Sequence, residues 1–225
     1  MFSALVDRDF IANLVRLAGE SAHADGSTLF VLDPTGRFLK PFTVHKLPEG
    51  YISGIGAVAV GTQCCGRAVA HRKPWIVSDM LSDPLFKDGV KGAEASDIRA
   101  GFSVPVIAHN GIAVGSLACH FRRPHSPTKT DIERNQSLAT LIAHGLEYPS
   151  AAQDSWRELF EAVLRERDPD ALPVLIKKAR TGILNRLGLS SSGGTPADDE
   201  ALADALRILR DVEENLPNFW CSKGQ

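Results

Sequence analysis

Two apolar runs, Ala100–Ile107 and Ile112–Phe121, flank a break containing His109-Asn110-Gly111, and this pattern constrains the fold more than any other feature. Asn-Gly supplies the positive φ angles that a tight hairpin turn demands, so the spacing predicts two adjacent antiparallel strands. Upstream, residues 61–86 (GTQCCGRAVAHRKPWIVSDMLSDPLF) read as a Gly turn, a short helix, a basic tip at His71-Arg72-Lys73 and a strand from Trp75 to Ser78. A turn initiated by Asp79 and carrying Asp83-Pro84 follows, with a second helix expected before Ala100. Gly61 and Gly66 permit a sharp strand-to-helix turn. Gly115, inside a strand, leaves room for another backbone, a bulge or a ligand.

The flanking segments extend this plan. Phe10, Ile11, Leu14, Val15 and Leu17 recur at helical spacing within residues 6–24. Ser27–Asp33 and Arg37–Val44 are β-rich and joined by Pro34-Thr35-Gly36, a hairpin turn in which Pro sets φ and Gly admits positive φ. Pro48–Ile55 fits a short helix with Pro at an early position. Thr128–Glu147 reads as a long helix capped by Thr128 and Asp131, with an apolar stripe of Ile132, Leu138, Leu141, Ile142 and Leu146. Tyr148–Gln153 breaks the composition. Beyond it, residues 154–166, 169–187 and 197–216 have amphipathic helical patterns, the last two joined by the Ser/Gly-rich stretch 190–196. The expected architecture is α+β: an antiparallel sheet flanked by helices over residues 1–149, then an all-helical segment over 150–225 for dimerisation or partner binding.

Composition narrows the function. A formal net charge of −2 offers no global basic field for nucleic acid or anionic lipid. No apolar run reaches the roughly 18–20 residues that span a bilayer. The N-terminal stretch carries Asp7, Asp9 and Glu20 and reads as an amphipathic helix rather than a signal peptide, so a cytoplasmic protein is expected. Four cysteines (Cys64, Cys65, Cys119, Cys221) have neither a disulfide framework nor zinc-finger spacing, and no metal site is expected. Walker, Gly-x-Ser-x-Gly and His-Glu-x-x-His motifs are absent.

Taken together, these residues resemble the GAF domain family across roughly residues 6–147. Gly61-Thr62-Gln63-Cys64-Cys65-Gly66 is similar to the family's turn into a helix, and Asp79 with Asp83-Pro84 to its Asp…Asp-Pro turn. Arg99–Val106 and Gly111–Gly115 are similar to two of its strands. The resemblance implies a sensory, non-enzymatic module with a pocket between one sheet face and the helices inserted between residues 61 and 98. Trp75, Phe86, Phe102, Ser103 and His120 are the expected ligand-binding residues, Cys64 and Cys65 the candidate redox pair, and no residue is assigned a catalytic role. An unidentified small molecule, a homodimer through the first and last helices, and a downstream signalling protein are the expected partners.

Each known pocket occupant can be tested against the chain. Covalent bilin is disfavoured, because residues 92–101 hold no Cys at the usual tether position, although Cys119-His120 echoes a Cys-His pair of phytochrome-type members. The dispersed Asn-Lys-x-Phe-Asp-Glu pattern of cyclic-nucleotide binders is absent. Haem would have to use His71, His109, His120 or His125, none set apart as a ligand. The family's enzymatic branch, free methionine-(R)-sulfoxide reductase, needs an attacking and a resolving Cys. Cys65 stands at a helix start, where the dipole would favour thiolate, but the loop over residues 79–100 has no Cys. A thiol redox switch at Cys65 with Cys64, and an ANTAR-like RNA-binding output over Lys177–Ser190 and Asp199–Arg210, are the alternative readings.

Overall fold

A computed structural model describes residues 8–86, 97–147, 155–190 and 196–215. The helix expected between Asp83-Pro84 and Ala100 falls largely on residues 87–96, outside the described residues, as does Cys221. In chain order the elements are α1 (Arg8–Ser21), β1 (Gly26–Leu32), β2 (Phe38–His45), α2 (Glu49–Ile55), β3 (Val58–Ala59), α3 (Gln63–His71) and β4 (Trp75–Val77). They continue with β5 (Ala100–Ile107), β6 (Ala113–Phe121), α4 (Lys129–Glu147), α5 (Ser155–Arg165), α6 (Leu172–Ser190) and α7 (Pro196–Glu214).

The strands form one antiparallel sheet ordered β3-β2-β1-β6-β5-β4. The Asn-Gly hairpin holds β5 against β6, with Gly101 opposite His120 and Ser103 opposite Ala118. Seven of the eight β5 residues are buried, because helices cover both faces of the sheet and each alternate side chain finds a core. One face (Leu29, Phe102, Val104, Leu117, Cys119) packs on α1 and α4. The other, around Phe30 and Ala118, faces α2 and α3 in a smaller core with Cys65 and Val69.

Local chemistry explains the element ends. Thr128 and Asp131 form a reciprocal cap: the Thr128 amide donates to Asp131 Oδ2 at 2.9 Å and the Asp131 amide to Thr128 Oγ1 at 3.1 Å. The entry to α3 is tight enough that a Cβ on Gly66 would sit 2.2 Å from the Ala59 carbonyl oxygen. Gly115 serves a close backbone approach, since a Cβ there would meet the Phe30 carbonyl oxygen at 2.5 Å. β3, only two residues long, has too little periodicity to be read from sequence.

Of the three C-terminal helices, α5 packs on α1 and α7 on α4, while α6 packs on α5 and α7, and Trp156, Phe160, Ile176, Leu202 and Leu209 join the same apolar cluster as Phe10, Leu14 and Leu141. Polar ties follow the seam. Arg157 donates to His144 Nδ1, His144 Nε2 donates to Asp198 Oδ1 at 3.0 Å, and Arg134 Nε donates to Asp211 Oδ2 at 3.3 Å.

Candidate functional site

Beneath α2, between α3 and the sheet face carrying His120, lies a cavity of about 20 Å³. Such a space holds a single water. Its walls come from distant parts of the chain: Phe30 from β1, Tyr51 from α2, Cys64 and Cys65 from α3, Ser103 and His120 from the β5–β6 hairpin, and Met80 and Phe86 from the turn after β4. Strand alternation explains the sheet's share, since Ser103 and His120 point to the face opposite Phe102 and Cys119.

His120 is the centre of the polar groups. Its Nε2 lies 2.9 Å from Thr28 Oγ1 and its Nδ1 lies 3.0 Å from the Tyr51 hydroxyl. The Tyr51 ring meets the imidazole edge-on, with centroids 5.2 Å apart. Burial lowers the His120 pKa to about 4, so the ring is neutral at physiological pH, with one nitrogen donating and the other accepting. Burial likewise pushes the Tyr51 hydroxyl well above its ordinary range.

The two thiols are held by neutral partners. Cys65 Sγ lies 3.3 Å from Ser103 Oγ, and Cys64 Sγ donates to the Trp75 carbonyl at 3.2 Å. Burial is the largest influence on both and raises both pKa values. The thiolate expected of Cys65 from its place at a helix start is therefore not favoured. The apolar surroundings that exclude water from the sulfur outweigh the helix dipole.

The structure brings together five of the residues singled out in the sequence: Cys64, Cys65, Phe86, Ser103 and His120. Phe102 borders the cavity, but its ring stacks with Phe121, at 6.3 Å between centroids, in the core on the other face. Trp75 does not line the cavity. Its ring stacks on His71 at 5.1 Å, with the Arg67 guanidinium 5.5 Å from its centroid, and it packs half-buried at the edge of the cluster that holds Tyr51, Cys64 and Phe86. Thr28, Tyr51 and Met80 escape sequence reading. Tyr51 lay in a recognised short helix, but its partner is 69 positions away and only the fold unites them. The Asp79–Arg99 pair, at 2.7 Å, ties the turn after β4 to the start of β5 and so holds Met80 and Phe86 in place. Among the described residues no cluster of His, Cys, Asp and Glu could hold a metal ion, and no helix is long and apolar enough to cross a membrane.

The model of the GAF domain family matches residues 8–146. Among solved structures, the chain is similar to a GAF domain/HD domain protein from Geobacter sulfurreducens, at 16% identity and a TM-score of 0.53, covering 65% of this chain and 96% of that one. It is also similar to free methionine-R-sulfoxide reductase from Neisseria meningitidis (20% identity, TM-score 0.50, 64% of this chain and 81% of that one). The cyanobacteriochrome receptor PixJ is a further neighbour (16% identity, TM-score 0.50, 64% and 98%). At these identities the likeness is one of fold. No curated protein matches the chain.

Proposed function

Because this chain belongs to the GAF domain family, we propose that it is a non-enzymatic sensory module that binds a small uncharged molecule between the sheet and α2–α3. The observation that carries this reading is the neutrality of the site. His120, Tyr51, Thr28, Ser103, Cys64 and Cys65 are polar yet uncharged, and among the described residues no Lys, Arg, Asp or Glu lines the cavity. An anionic ligand such as a cyclic nucleotide would be desolvated there without a countercharge, at a cost of several kcal/mol. A neutral ring with one hydroxyl or carbonyl would satisfy the same groups.

The non-enzymatic reading is supported by the thiols. A sulfoxide reductase needs a thiolate, and burial disfavours thiolate at both Cys64 and Cys65. The signal would pass through the sheet to α1 and α4, on which α5 and α7 pack, and from these to α6. Ligand binding shifts the balance between helix arrangements only by its differential affinity for them. Val174 and Leu184, 56% and 52% exposed on α6, support that helix as the surface for a second copy or a downstream signalling protein in the cytoplasm.

The test is extraction of the protein purified from its native cells, with mass spectrometry and an absorption spectrum of the released fraction. A neutral small molecule released in stoichiometric amount, which raises the melting temperature when added back, is the expected result. A stoichiometric anion in its place overturns the reading.

A further inference from the structure

Resting on the reading of the cavity as a ligand site, we infer that Tyr51 is a built-in stand-in for the ligand: a phenol-like molecule takes its place against His120 and thereby releases α2.

Space comes first. A cavity of about 20 Å³ admits a water and nothing larger, so a ring-sized ligand enters only when a wall residue leaves. Phe30 is fixed in a central strand and packed with Val58, Cys65 and Val69. Phe102 is committed to the opposite face. Tyr51 is carried instead by α2, a helix of seven residues.

The chemistry of the vacated position is then defined. The Tyr51 ring packs with Cys64, Met80 and Phe86, and its hydroxyl meets His120 Nδ1 at 3.0 Å while Thr28 engages the other nitrogen. Whatever replaces Tyr51 finds a flat apolar slot ending in a neutral imidazole. A hydroxylated aromatic ring meets both demands, whereas a bare hydrocarbon would leave His120 without its partner. A carboxylate or phosphate would meet no cation among the described lining residues.

Mechanics make α2 the element that yields. Lys46 before it and Gly56 after it both have positive φ, at 56° and 60°. Pro48 at its N-cap makes no side-chain capping bond, and Gly50 and Gly54 lie within the helix. Glycine is a poor helix former because its backbone gains most freedom on release. Of the described α2 side chains, only Tyr51 is buried; Ile52 and Ile55 are half-buried, and Ser53 is exposed. Withdrawing one ring therefore removes the main anchor of α2. Ligand and Tyr51 compete for one position, and occupancy by the ligand reads out as loss of α2 order.

The test uses the full chain with p-cresol and toluene as probes, isothermal titration for affinity and hydrogen exchange for α2. In the unmodified chain p-cresol is expected to bind saturably and to speed exchange of the 49–56 amides several-fold, with β6 unchanged. Toluene should bind about tenfold more weakly, the worth of one hydrogen bond. Tyr51→Ala, freed of its competitor, should bind p-cresol at least about tenfold more tightly than the unmodified chain. Should Tyr51→Ala fail to fold, Tyr51→Phe keeps the ring, loses the His120 bond, and should still bind p-cresol more tightly than the unmodified chain. Binding of p-cresol that slows α2 exchange, or toluene binding as well as p-cresol, overturns the displacement mechanism and leaves the cavity reading standing. No uptake of p-cresol by any of the three proteins overturns the phenol-like class, whereas the sensory reading is decided separately by the ligand extracted from native protein.

Discussion

Replacing His120 by Gln should remove a pH-dependent loss of stability specific to the imidazole. In the folded chain burial holds the His120 pKa at about 4, against 6.5 for an ordinary histidine. As pH falls below 6.5 the unfolded chain binds a proton that the folded chain refuses, so acid favours unfolding. The contribution is negligible at pH 7.5, grows as pH falls through 6.5, and is complete only below about 4. By linkage, the difference between the two states at pH 5 is about 2 kcal/mol, approaching about 3 kcal/mol at lower pH. The assay is urea unfolding of the unmodified chain and of His120→Gln at pH 7.5, 6.5 and 5.0, extrapolated linearly to water. Gln will lower stability at every pH, but it does not titrate. The informative quantity is therefore the change in the gap between the chains, in which His45 and the carboxylates common to both cancel. The gap should narrow by about 2 kcal/mol between pH 7.5 and 5.0. Parallel pH profiles would refute the argument, because they would mean that His120 takes up protons in the folded chain as readily as in the unfolded one.

Two further predictions probe the thiols and the C-terminal helices. In native protein at pH 7.5, iodoacetamide should label the buried Cys64, Cys65 and Cys119 on the order of a hundredfold more slowly than in urea-unfolded protein, read by peptide mass spectrometry. Fast native labelling of Cys65 would restore the thiol redox alternative. Phe160→Ala removes a fully buried ring from the core shared by α1, α4 and α5, and should cost about 3–5 kcal/mol in urea unfolding within a single transition. A separate early transition, or a loss below about 1 kcal/mol, would show that the helical segment is only loosely attached.

Local patterns settled much of this molecule in advance. The β5–β6 hairpin follows from Asn110-Gly111 between two apolar runs, and the start of α4 from Thr128 and Asp131, three residues apart. The apolar spacing of α1, α4 and the C-terminal helices likewise appears in the chain, because backbone periodicity is a property of consecutive residues. The candidate site was only half legible. Strand alternation marks Ser103 and His120 as neighbours of one face, but not what covers that face. Trp75, an aromatic beside a turn like Phe86, stacks on His71 beside Arg67 at the edge of the same cluster, while Phe86 lines the cavity. Cys65 carried a local signal for thiolate that burial reversed, since desolvation depends on atoms contributed by other elements. Sequence by itself determined the longer strands and helices, though not the two-residue β3, and which of their faces were apolar. Tertiary structure alone decided that Tyr51 meets His120 and that the cavity, nearly filled, is neutral among its described lining residues, because those facts depend on the distance between residues that the chain keeps far apart.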